Sequence, residues 1–129
     1  MSDTAPTPLP LLDKDRLDAM TGGDIDLSLE VVDIFIHQAE IWSRLLDPRA
    51  DASQWADAAH TLKGASLSIG AMQLANACEI AERAGRSEIA PSVAGSAALL
   101  TDVKDLLGET LEAAAKLIHA LESSPRKAS

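Results

Sequence analysis

The stretch DASQWADAAHTLKGASLSIG, Asp51 to Gly70, decides the fold. Its apolar residues Trp55, Ala58, Leu62, Ala65 and Ile69 recur at spacings of three and four, which draws one stripe down a helix. Asp51 and Gln54 have the spacing of a capping box, and Gly70 suits the left-handed stop. The same reading extends in both directions. Upstream, Asp24 or Asp26 can open a helix whose stripe is Leu27, Val31, Ile34, Phe35, Ile41, Trp42 and Leu45, ended by Pro48. Before it, Gly22 and Gly23 break the chain, and Asp13 can cap a short helix to Met20 with Leu17 and Met20 inward. Downstream, a helix from about Ala71 to Ala84 turns Leu74, Ala77, Cys78 and Ala81 inward and stops at Gly85. A last one begins with Pro91 near its first turn and carries Val93, Ala97, Leu100, Leu107, Leu111, Ala114, Ile118 and Leu121. Gly95 and Gly108 each weaken it by about 1 kcal/mol, so a bend or break at either is expected.

No alternation of strand type appears. Four amphipathic helices with short connections predict an all-α, antiparallel four-helix bundle, with the short N-terminal helix covering one end. Residues 11–123 form this domain in that reading. Residues 1–10 make a flexible leader, because Pro6, Pro8 and Pro10 forbid a helix, and residues 124–129 a flexible tail.

The chain has 129 residues, 47% of them hydrophobic, with one Phe, two Trp and no Tyr. That length suits one domain, and Ala and aliphatic packing favours helices. A formal charge of -9 disfavours nucleic acid and anionic membrane surfaces, which leaves a partner protein as the expected ligand. Cys78 is the one cysteine, so a thiolate zinc cluster is excluded, and it reads as a small core residue. No apolar run reaches the roughly 18 residues needed to span a bilayer, and the expectation is a soluble cytoplasmic monomer. The Met1 start and the tail through Ser123, Ser124, Pro125, Arg126 and Lys127 are read as those of a free-standing chain.

His60 falls two residues before Leu62, about 200° away around the helix, and so faces solvent. Lys63, Gly64 and Leu67 follow on the same ridge. A mid-helix glycine costs about 1 kcal/mol relative to Ala, a cost that close approach to the backbone would explain. Lys63 can lay its ammonium beside an anion on the imidazole, and Leu67 offers an apolar contact. His37 and His119 lack such company and read as structural or solvent-exposed. Trp42 and Trp55 read as packing anchors. Glu79 and Glu82 do not make a metal site, since bundle sites of that kind need Glu-x-x-His pairs.

Residues 59–66, Ala-His-Thr-Leu-Lys-Gly-Ala-Ser, followed by Ile69-Gly70-Ala71, resemble the signature of histidine phosphotransfer domains. A weaker likeness runs from Asp13 to Leu121 and includes Gly22-Gly23-Asp24. The resemblance implies that His60 is phosphorylated, that Lys63 steadies the phosphoryl group, and that Gly64 is the gap through which a receiver domain reaches the imidazole. Some members carry Gln 22 positions after the histidine, hydrogen-bonded to it; here that position is Glu82. Arg86 follows one turn later, where some members also have Arg. Partner contact is expected at Gly64, Leu67, Ser68 and Arg86.

The implied chemistry is coherent. Imidazole, with a reference pKa of about 6.5, is a good neutral nucleophile near pH 7. A Glu82 that accepts from Nδ1–H would leave the Nε2 lone pair free to attack an aspartyl phosphate. The receiver would supply Mg²⁺, and this chain would bind no metal or cofactor. With no Gly-rich nucleotide loop, it would relay phosphoryl groups between receiver domains of response regulators and hybrid kinases without taking them from ATP. The rival reading is a non-catalytic adaptor that binds a partner through the His60/Leu67 face.

Overall fold

Four side chains in extended backbone start the longer helices and the first short one. Asp13, Asp24, Asp51 and Ser92 accept hydrogen bonds from backbone N–H groups two or three residues on, satisfying donors that a helix start leaves unpaired. In the computed structural model, which describes residues 9–125, they open α1 (Lys14–Thr21), α2 (Ile25–Leu45), α3 (Ala52–Ser68) and α5 (Val93–Glu122). The remaining helix, α4 (Met72–Arg86), has no side-chain cap. No strand occurs among the described residues. Residues 1–8 of the expected leader and 126–129 of the expected tail lie outside them. The carbonyls of Leu9 and Pro10 accept hydrogen bonds from the Gln73 side chain and backbone N–H, which ties this end of the chain to α4.

The helices α2, α3, α4 and α5 pack in a ring, with α2 against α3 and α5, and α4 against α3 and α5. Phe35, Leu62, Leu74, Ala81, Val103 and Ala114 meet in the core. The short α1 packs against α2 and α3. Burial pushes the Cys78 thiol up to about 12, which keeps it protonated and inert at neutral pH.

The structure corrects several inward assignments. On α1, Met20 is 53% exposed and Thr21 is buried instead. On α2, Leu27, Ile34, Ile41 and Leu45 face out, while Ser28, Val32, Phe35 and Ala39 face in. This helix is apolar over so wide an arc that periodicity alone cannot choose its buried side. On α5, Val93 and Ala97 are exposed, and the buried line instead includes Ser96, Val103 and Thr110. Short hydroxyl side chains can fill close helix contacts because they bond their own helix, as Thr110 does to the Leu106 carbonyl at 2.6 Å. Helix α5 is continuous through Gly95 and Gly108; packing on α2 and α4 outweighs their weak propensity.

Gly85 does not end α4, which continues to Arg86. It is a site of close approach, since a Cβ there would lie 2.7 Å from Cδ1 of Trp55 and 3.0 Å from the Ala52 carbonyl oxygen. Trp55 is buried in this gap and donates from Nε1 to the Ala81 carbonyl at 2.7 Å. Helix propensity alone would make Gly85→Ala stabilising by about 1 kcal/mol. The overpacking against Trp55 reverses the sign, and denaturant unfolding should show a loss of roughly 1–3 kcal/mol.

Candidate functional site

Docking of Trp55 against Gly85 sets α3 close to α4 and brings residues 22 positions apart into contact. The His60 ring stays 62% exposed at its side chain, yet Nδ1 lies 2.9 Å from Oε2 of Glu82. A carboxylate can only accept, so Nδ1 carries a proton, and in the neutral ring the lone pair then lies on Nε2. Gly64, one turn after His60, is exposed, and a Cβ built on it would meet nothing within 4 Å. The ridge beside the imidazole is therefore bare backbone.

Glu82 is the hub. Its side chain is only 11% exposed, and its cost of burial is offset by three donors. Lys63 Nζ donates to Oε1 at 2.8 Å, and Arg86 Nε donates to Oε2 at 3.2 Å beside the imidazole. Arg86 also donates from Nη2 to Asp57 Oδ1 at 3.1 Å. The Lys63 ammonium has a second carboxylate, Glu79, at 3.6 Å. The hydrogen bond from Lys63, with help from Arg86, holds the Glu82 carboxyl below the usual carboxylate range, and the same bond raises Lys63.

A depressed carboxyl pKa contributes stability that is present above the unfolded-state pKa and lost as acid passes the folded-state one. Glu82→Gln should therefore lower stability at neutral pH and flatten its fall on the acid side. Thermal unfolding from pH 7 downward measures both.

Against the sequence expectations, the structure brings His60, Lys63, Glu82 and Arg86 together around one carboxylate. Lys63 is not laid out in solvent beside the ring; its stem is largely buried and its head is bound to Glu82. Leu67 is half-buried, not fully on the solvent face. It lines a hollow of about 270 Å³ with Leu9, Lys63, Met72 and Ala75. Ser68 turns its hydroxyl back to the Ala65 carbonyl at 2.6 Å. His37 and His119 are exposed and lie apart from this cluster. Asp57 and Glu79 are additions. Asp57 stands three residues before His60 on α3, a spacing that marks one helix face, but its partner Arg86 comes from α4.

A model of the Hpt domain matches residues 30–116, roughly two thirds of the chain, with His60, Lys63, Gly64 and Glu82 inside the match. The chain belongs to the Hpt domain family. Among solved structures, the Hpt chain is similar to the histidine phosphotransferase ShpA from Caulobacter crescentus, with 30% sequence identity and a TM-score of 0.54. That match covers 84% of this chain and 99% of ShpA. No curated protein sequence matches it. Family membership makes it a phosphorelay carrier, and no helix of the described residues is long and apolar enough to cross a membrane.

Proposed function

We propose that this Hpt domain, an antiparallel bundle, accepts a phosphoryl group on Nε2 of His60 from the aspartyl phosphate of one receiver domain and passes it to the aspartate of another. The observation that carries this reading is the hydrogen bond between Nδ1 and Glu82, which fixes the tautomer and aims a free lone pair at solvent. In the forward step, the Nε2 lone pair attacks phosphorus, the P–N bond forms, and the bond from phosphorus to the receiver's carboxylate oxygen breaks. The Nδ1 proton stays on the ring, and the positive charge that develops there is balanced by Glu82. The reverse step regenerates the neutral imidazole.

Phosphoryl transfer depends mainly on positioning and charge, which a rigid bundle face can provide. Lys63, bound to the same carboxylate as the imidazole, can exchange its bond to Glu82 for one to a phosphoryl oxygen. Gly64 leaves the approach open. The hollow at Leu67 and Met72, which Lys63 also lines, offers the receiver an apolar contact, and Ser68 and Arg86 are expected to touch the receiver as well. Mg²⁺ belongs to the receiver in this scheme, and His60 needs none of its own.

The test is incubation with purified receiver domains carrying aspartyl phosphate. A subset should lose label to this chain as acid-labile, base-stable phosphate within a single turnover. The chain mixed with ATP and Mg²⁺ alone should stay unlabelled. Labelling from ATP in a kinase-free preparation, or no transfer from any receiver, would remove this reading and favour an adaptor.

A further inference from the structure

The outward side of α2 repeats with the period of a coiled-coil seam. Leu27, Val31, Ile34, Gln38, Ile41 and Leu45 follow at alternating intervals of four and three, the spacing that lets a helix pack along a second helix. Of these, only Val31 also packs against the core of its own bundle. Leu27, Ile34, Ile41 and Leu45 are 42%, 48%, 55% and 50% exposed, while Ser28, Val32, Phe35 and Ala39 of the same helix fill the core side. Isolated exposed Leu or Ile residues are ordinary, but four aligned from Leu27 to Leu45 of one helix make an apolar strip about 27 Å long, interrupted only at Gln38.

The flanking charges identify the occupant. Glu30 and Arg44 lie on the same edge of the seam, 14 residues apart with His37 midway. Both are exposed, and neither has an ion-pair partner among the described residues. Two copies of α2 crossing antiparallel, with the two-fold axis between Ile34 and Gln38, would set Leu27 against Leu45 of the second copy and Val31 against Ile41. The same register puts Glu30 beside Arg44 of the second copy, twice by symmetry. A parallel pair would instead set this edge opposite positions 35 and 42, and Phe35 and Trp42 pack into their own bundle. The charge pattern is thus self-complementary in one orientation. We propose that the chain forms a two-fold homodimer through antiparallel pairing of α2 with α2 of a second copy.

The proposed dimer departs from the monomer expected on the sequence. Helix α2 packs on α3 and α5 and not on α4, so the dimer leaves the His60–Glu82 edge of both copies open to receivers. A pair of helices this short buries less than an obligate interface does, so the dimer should dissociate on dilution.

Sedimentation equilibrium of the full chain at physiological ionic strength tests this. The mass should rise with concentration from the 13.5 kDa of one chain toward twice that value. Ile34→Glu should hold the chain at monomer mass throughout, with an unchanged unfolding transition under dilute conditions. Glu30→Arg or Arg44→Glu should each raise the dissociation constant several-fold, up to about tenfold. The double exchange Glu30→Arg/Arg44→Glu should restore it. A wild-type chain that stays monomeric at its highest soluble concentration overturns the proposal. So does an Ile34→Glu variant that still dimerises, or a double exchange that binds no better than the single ones.

Discussion

His60→Gln should abolish transfer from every phosphorylated receiver while leaving the unfolding transition nearly in place. The ring is mostly solvent-exposed and fills no part of the core, so its removal creates no cavity. Gln has no nucleophilic nitrogen, because its amide lone pair is delocalised, and the expected loss is complete. The fold should tolerate the change because Glu82 keeps Lys63 and Arg86 as donors. Single-turnover transfer, read as acid-labile phosphate on the chain, measures the first effect, and thermal unfolding measures the second. Labelling that survives in this variant would place the acceptor elsewhere, and neither His37 nor His119 has a carboxylate hub like Glu82 beside it.

Gly64→Gln should separate access from chemistry. A Cβ at this position meets open space within its own chain, and replacing a mid-helix glycine should stabilise α3 by up to about 1 kcal/mol. The same side chain would stand between a receiver and Nε2 one turn away. Displacement of the reacting atoms by an ångström can cost about a hundredfold in rate, so transfer should slow by that order while stability holds or rises. Lys63→Ala provides the contrast. It should leave docking largely intact and lower the rate of the transfer step or the lifetime of the phosphohistidine, since it removes a charge and no barrier to approach. A Gly64→Gln variant that transfers at the wild-type rate would defeat the close-approach argument and favour the adaptor.

Much of this site was legible because it lies on one helix. Helical phase alone turned His60, Lys63 and Gly64 to one side and Leu62 to the other, and the local signature in residues 59–66 pointed to the chemistry. Helix starts were legible for the same reason. Asp13, Asp51 and their acceptor geometry depend on residues within three positions, so caps can be read without knowing the partners. Gly70, at φ +75°, ends α3 as its sequence position implied.

What needed the tertiary structure was each property that belongs to two helices at once. The Glu82 carboxylate meets His60 only because Trp55 of α3 enters the gap left by Gly85 of α4, and a glycine read along the chain looks like a stop. Lys63 is drawn to Glu82 because the shared carboxylate, once buried, needs several donors, a demand that no one-dimensional spacing expresses. Burial on α2 and α5 was misread for a related cause. Where a helix is apolar over much of its circumference, its sequence permits more than one inward face, and the neighbours choose. Phe35, Val32 and Ala39 won the core of α2 by fitting α3 and α5, which left Leu27, Ile34, Ile41 and Leu45 outside. The order of the helices, the starts at Asp13 and Asp51 and the exposed histidine can be read along the chain, since they follow from contacts a few residues long. The structure decided the carboxylate hub and the apolar seam, since both depend on which surfaces meet.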